Sequence, residues 1–308
     1  MTAKANVNKH KKIHAKGDLA FNIVNYTVFA LITLVCIFPF YYLFINTISS
    51  NELVSLGKIQ LYPQQIHFEN YVQVLKIEGI FDAMLTSVAR TVLGTVYTVA
   101  GCAFLGYLMS KQEMWLRKVW YRIIVVTMYF SAGLIPWYMN LRDLGLVDNF
   151  WVYVLPGLVS PYNVILVKTF IEALPPSLEE SATLDGAGYF RCFVNVVFPL
   201  ITPILATLCI FSAVGQWNSF TDTMMLMPSG KNYTLQFLLY KYQNEASSLA
   251  ALVRNTQDSS ALAAAATKQT ALSVRMTVAM VATFPILLVY PFFQRYFVKG
   301  IMIGAVKG

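Results

Sequence analysis

The residues able to do chemistry are few and scattered. Three histidines (His10, His14, His67) and four cysteines (Cys36, Cys102, Cys192, Cys209) lie far apart, without the paired spacing of a metal site or a redox dithiol. The cysteines sit mostly in apolar runs, where a thiol behaves as a small hydrophobe, so neither a metal nor a disulfide is expected. Gly230-Lys231 lacks the upstream glycine and the following hydroxyl residue of a phosphate-cradling loop. The chain is therefore expected to bind no ATP by itself and to need no cofactor of its own. No nucleophile, base and orienting group can be assembled from interior residues, so no catalytic residues are expected.

One polar island stands out. Residues 177–199 read SLEESATLDGAGYFRCFVNVVFP, and the connection 172–194 sets Glu172, Glu179, Glu180 and Asp185 against Arg191. Ser177 followed by Glu180 has capping-box spacing, in which a serine oxygen takes a first-turn amide and the glutamate returns a bond. A short acidic helix is predicted over Leu178–Asp185. Gly186 and Gly188 tolerate positive φ, so the helix is expected to stop there and a new apolar stretch to begin near Val194. Such a small, capped, acidic unit reads as a docking surface for a basic or polar socket.

The elements that must position this island are apolar. The chain is 57% hydrophobic and only 12% charged, and its mean hydropathy is +0.56, outside the usual range of a soluble domain. Crossing the hydrocarbon core takes about 20 apolar residues. Stretches near 21–45, 85–109, 119–140, 151–171, 195–216 and 274–294 meet or nearly meet that need, which predicts an all-α integral membrane protein of six transmembrane helices. The fourth and fifth contain Pro156, Pro161, Pro199 and Pro203, so kinks are expected there. Residues 1–20 and 295–308 would be tails, with 21–294 as the membrane domain.

Orientation follows from lysine and arginine, which stay on the cytoplasmic side. Lys4, Lys9, Lys11, Lys12 and Lys16 precede the first span, Lys111, Arg117, Lys118 and Arg122 follow the second, and Arg295, Lys299 and Lys307 follow the last. Both termini are expected in the cytoplasm of a bacterial cell, with the chain crossing its plasma membrane several times. Acidic residues weigh little in this rule, so the acidity of 172–194 is free to reflect a partner. The first apolar run is too long for a secretory signal and is followed by no small-x-small cleavage site. A net charge of +8 is explained by anionic lipid at the inner face, with no nucleic-acid partner required.

Arg90, Arg122, Lys168, Arg275 and Arg295 are placed toward span ends, where long side chains can snorkel. Without mid-membrane ionisable groups, an ion-coupled secondary transporter or channel working alone is the weaker alternative. The outside segment 217–273 is too long for a passive connector. It opens with Trp217, Asn218 and Asp222, whose aromatic and polar groups suit a sugar, although an interface tryptophan is the plainer reading of Trp217. A turn at Pro228-Ser229-Gly230 leads into 235–242, and a second helix is expected around 261–268. Residues beyond Glu245 can equally be an insertion packed on this chain.

Glu180, Ser181, Ala182, Gly186 and Val196-Val197-Phe198-Pro199 match the pattern E-A-A-three-G-nine-I-x-L-P. With Leu184-Asp185-Gly186-Ala187 and the C-terminal Gln294–Gly300, this resembles the permease subunits of type I ATP-binding-cassette importers. The likeness is to the carbohydrate-uptake branch related to the six-span maltose-transporter permease, and most of all to complex-oligosaccharide permeases of Gram-positive bacteria. Ser181 and Phe198 depart from the pattern by similar-sized residues. The resemblance implies that Glu179, Glu180, Ser181, Ala182, Asp185, Gly186, Ala187, Gly188 and Pro199 form a coupling helix and its support against a cytoplasmic ATPase. It implies a second, homologous permease as heterodimer partner, two ATPase subunits that hold ATP and Mg, and an extracellular lipid-anchored sugar-binding protein. In maltose-type relatives the loop at 217–273 reaches into that protein, which here would involve Ser229, Gly230, Lys231 and Tyr233. Trp217, Asn218 and Asp222 are then candidates for the sugar pathway.

Overall fold

The computed structural model describes residues 16–244 and 272–288, and every regular element among them is helical. Helix α1 (Lys16–Thr47) is long and apolar, with 6% of its most apolar stretch buried, and it packs on the chain at its C-terminal end, where Ile45 meets Val54 and Ile59. Two short helices, Asn51–Ser55 and Glu69–Leu75, lie in the following connection. Helix α2 (Ile80–Ser110) then runs 31 residues without a proline, about 46 Å at 1.5 Å per residue. It is the axis of the molecule. Small residues on its surface let neighbours close in: an added Cβ at Gly106 would lie 2.7 Å from Val167, and one at Gly94 would lie 2.6 Å from the Gln216 amide.

The predicted third span is two helices, α3 (Arg117–Tyr129) and α4 (Leu134–Asp143), bent by 118° at a break of four residues. Gly133, at φ +90 and ψ 178, occupies backbone space that only glycine reaches without strain. The fourth span is likewise not one helix. A 3₁₀ turn at Phe150–Tyr153 leads through an irregular stretch into α5 (Pro161–Glu172), which begins at proline, a residue suited to a helix's first position.

After α6 (Ser177–Leu184), the fifth stretch starts earlier than Val194, as α7 (Tyr189–Leu200), and turns by 80° into α8 (Thr202–Asn218). Pro199 has no N–H to offer the preceding turn, and the ladder just before it widens to a π-helix at Phe193–Val197. Helices α9 (Thr221–Leu226), α10 (235–244) and α11 (Leu272–Leu288) complete the described chain. The predicted helix near 261–268 and residues 289–294 of the sixth span lie outside the described residues. Among the described residues, two helices are long and apolar enough to cross a membrane unaided, and up to four spans result if each bent pair counts as one.

The core divides along α2. Toward its C-terminal end, Val99, Ala103 and Tyr107 pack with Val167, Ile171, Cys192, Phe193 and Leu208. Near its start, Ile80 and Ala83 pack with Trp217, Leu235 and Val278. In lipid such contacts hold by close van der Waals packing, which the glycines of α2 allow.

Candidate functional site

At the C-terminal end of α2, the acidic helix α6 is held from behind. Its first bonds run from the Leu178 amide to the Pro175 carbonyl and from the Glu179 and Glu180 amides to the Pro176 carbonyl. Pro175-Pro176 therefore starts the helix one residue ahead of the predicted cap, and Ser177 is already helical. The capping box does not form: the N-cap position is Pro176, with no side-chain cap bond, and the Ser177 carbonyl instead accepts from the Ser181 hydroxyl at 2.8 Å.

The stop is as expected at Gly186 and not at Gly188. The Ala187 amide donates to the Ala182 carbonyl and the Gly186 amide to the Thr183 carbonyl, both at 3.0 Å, with Gly186 at φ +83. This is a Schellman ending, in which a glycine in the left-handed region lets the last carbonyls find donors. Gly188, at φ −72 and ψ 167, is ordinary extended backbone.

Part of the acidity is answered within the chain, contrary to the expectation that it awaits a partner. Glu179 pairs with Lys111, just past α2, and Glu172 pairs with Arg117 and with Lys168 one turn before it. Lys111 also sits over the Tyr107 ring, 4.3 Å from its centroid, and burial pushes its ammonium below the ordinary lysine range. The Tyr107 hydroxyl donates to the Tyr189 carbonyl at 3.1 Å, tying α2 to the start of α7. Ala182 packs against the adjoining core.

What remains outward on α6 and its exit is mixed: Glu180, Ser181 and Asp185 are exposed, as are Leu178, Leu184 at 89%, Tyr189 and Phe190 at 70%. Pro199, by contrast, acts inside the chain, at the bend that carries α7 into α8.

The three pathway candidates face different partners. Trp217 is buried, and its indole N–H donates to the Ala282 carbonyl of α11 at 3.0 Å, so it neither anchors at an interface nor presents a free ring. Asn218 is exposed and accepts from the Gln236 amide at 3.3 Å. Asp222 is paired with Arg90 at 2.6 Å. Arg90 is 2% exposed, ten residues inside α2, which corrects its placement as a snorkelling residue.

At the turn near the base of α10, Ser229, Gly230 and Lys231 are exposed. The Ser229 hydroxyl donates to Asp148 at 2.6 Å, and Gly230 takes φ +81 above the half-buried Tyr233 ring. Tyr233 meets Phe237 edge to face with centroids 4.7 Å apart, and Phe220 stacks on Tyr240 at 4.8 Å. Sequence reasoning missed two groups here, the Lys111 clamp and the Arg90 network. An arginine inside an apolar helix was the available signal for the second.

Broken apolar helices packed around one straight helix, with a short glycine-stopped helix between two of them, form the architecture of a membrane-embedded protein. Residues 102–303 match the family of the binding-protein-dependent transport system inner membrane component, and the chain belongs to that family. It is a permease subunit of an ATP-binding-cassette importer, and not an enzyme. Among relatives, it is 31% identical over 288 residues to the polygalacturonan/rhamnogalacturonan transport system permease protein YtcP of Bacillus subtilis, covering 94% of this chain and 98% of that one. It is 29% identical to protein LplC of the same organism, covering 97% and 99%. The crystal structure of a bacterial ABC transporter that imports the acidic polysaccharide alginate contains a chain of the same fold, with a TM-score of 0.80 and 30% identity over 93% of this chain and all of that one. Nothing in these likenesses supports a transporter or channel working alone.

Proposed function

We propose that the chain is one half of the translocation pathway for an oligosaccharide, in a six-span arrangement with both termini in the cytoplasm. Its partner is a second, different permease. Two cytoplasmic ATPase subunits bind ATP and Mg, and an extracellular lipid-anchored binding protein delivers the sugar. The observation that carries this reading is α6: a rigid helix clamped from behind by Lys111 and Ala182, with Leu178, Glu180, Leu184 and Asp185 turned outward. Closing of the ATPase dimer would push on this face, and the bent spans supply two arrangements between which nucleotide and ligand can choose.

Orientation has support from the ion pairs. Basic residues Lys111 and Arg117, which the charge rule puts in the cytoplasm, lie against the acidic residues of 172–194. The two loops therefore share one side of the membrane. The exposed turn Ser229–Lys231, with Tyr233 beneath it, lies in the segment assigned to the outside and is offered to the binding protein. Asn218 would then face the pathway, while Trp217 and Asp222, bonded to Ala282 and Arg90, would hold the fold behind it.

One named relative belongs to a polygalacturonan/rhamnogalacturonan transport system and the solved structure is of an alginate importer, so acidic oligosaccharides are the first ligands to test. The experiment is to co-express the chain with its partner permease, ATPase subunits and binding protein, purify through this chain, and measure ATP hydrolysis and uptake of oligogalacturonate. Recovery of all parts in one complex with uptake is expected. Purification of the chain free of any ATPase, with transport intact, would overturn the reading.

A further inference from the structure

Near the other end of α2, a second group of side chains does something that stability alone does not require. The Arg90 guanidinium uses all its N–H directions: Nε and Nη2 donate to the Gln216 side-chain oxygen at 3.2 and 3.0 Å, Nη1 and Nη2 to Asp222 at 3.1 and 2.6 Å, and Nη1 to the Ser219 carbonyl at 3.4 Å. Its plane lies over Tyr153, 4.3 Å from the ring centroid. Gln216 in turn donates to the Tyr153 carbonyl at 3.2 Å, and the Tyr153 hydroxyl donates to the Asn232 carbonyl at 2.8 Å. Asp222 also accepts from the Ser219 hydroxyl and the Thr223 amide. One turn earlier on α2, the Ser87 hydroxyl accepts the Leu235 amide at 2.8 Å.

These bonds join residues 216–235 to a single helix at two successive turns. The same helix, uninterrupted, reaches Tyr107 and Lys111, which hold the coupling helix and its exit. Apolar packing in place of a buried ion pair is often as stable or more so. A guanidinium fork adds fixed register, because its donors are coplanar and satisfied only in one orientation.

We propose that Arg90 is a positioning residue for transport: with Gln216 and Asp222 it locks the segment carrying the exposed turn Ser229–Lys231 onto α2, so that displacement of that turn by the binding protein is delivered to α6 through one rigid helix. The inference rests on the proposed function, since it presumes a binding protein at one end and an ATPase at the other. Arg90 touches no substrate. It acts by making loop and helix move together.

The test uses the complete transporter in lipid nanodiscs, with basal ATP hydrolysis and hydrolysis stimulated by the oligogalacturonate-loaded binding protein measured side by side. Arg90→Met combined with Asp222→Asn removes both charges, so no unpaired ion is left buried. That double variant is expected to assemble and keep its basal rate while stimulation falls roughly tenfold, within the usual range of site-to-site coupling. Arg90→Lys keeps the charge and loses the fork, and is expected to fall in the same direction. Full stimulation in the double variant overturns the assignment, as does a proportional loss of basal and stimulated rates. Failure of both variants to assemble also overturns it, since the network would then serve the fold alone. If the wild-type chain assembles with no ATPase, the underlying reading is what fails.

Discussion

The two ends of α2 are built on opposite plans. Near its start, a deeply buried arginine is held by five hydrogen bonds and a ring face, and nothing about it is left for a partner. At its C-terminal end, one partly exposed ion pair steadies a helix whose other side is open, with Leu184 89% exposed. In the proposed transporter, the difference separates two jobs that a coupling device needs. A lock must be satisfied within the chain, whereas a docking face must be left unsatisfied until its partner arrives.

If the first end is a lock, breaking half of it costs most. Arg90→Met alone leaves the partly buried Asp222 without its counter-charge, which is expected to destabilise the chain by about 3 kcal/mol. Thermal unfolding in detergent should show a clear fall in midpoint, largely recovered when Asp222→Asn is added. At the open end, Glu180→Lys should leave insertion and unfolding unchanged while weakening ATPase association at least tenfold, about 1.4 kcal/mol. Normal co-purification and uptake by that variant would remove α6 from the interface.

Smaller effects sharpen the contrast. Gly186→Val forces a branched side chain into the left-handed region, a strain of about 1–2 kcal/mol. The expected result is a complex that hydrolyses ATP with reduced uptake, because the helix stop shifts while the helix remains. Unaltered uptake would mean that the stop can be made another way. Glu179→Gln should do least, up to about 1 kcal/mol in unfolding, since partly exposed ion pairs are screened by solvent. A loss as large as that of Arg90→Met would erase the distinction between the two ends.

Some of this was legible before any coordinates. Helix α2 follows from a long apolar run without proline, α1 from an apolar run that continues through Pro39, and the Gly186 stop from a glycine placed after a short polar helix. Pro156, Pro161, Pro199 and Pro203 signal the breaks in the fourth and fifth stretches, but the break in the third escapes because hydropathy averages over a window and cannot tell one straight helix from two bent ones. Ser131-Ala132-Gly133 and Pro199 were local signs of the bends, but neither reveals an angle. The capping box failed because Pro175-Pro176 supplies the first helical carbonyls a residue earlier than Ser177 could cap. Arg90 was misplaced for a different reason: Asp222 stands 132 residues away along the chain, and spacing says nothing about partners so distant. Trp217 was assigned by its nearness to a span end, yet its indole N–H is spent on the Ala282 carbonyl of α11.

The bareness of α1 reaches beyond transport into the life of the protein in the cell. Only the C-terminal end of this 32-residue helix is held by the chain, where Ile45 packs with Val54 and Ile59 and the Asn70 amide donates to the Thr47 carbonyl at 2.9 Å. The apolar stretch before it is left to lipid or to the second permease proposed above. If that permease covers it, a copy made alone carries a bare span, and the amount of this chain that persists should track synthesis of that partner rather than its own.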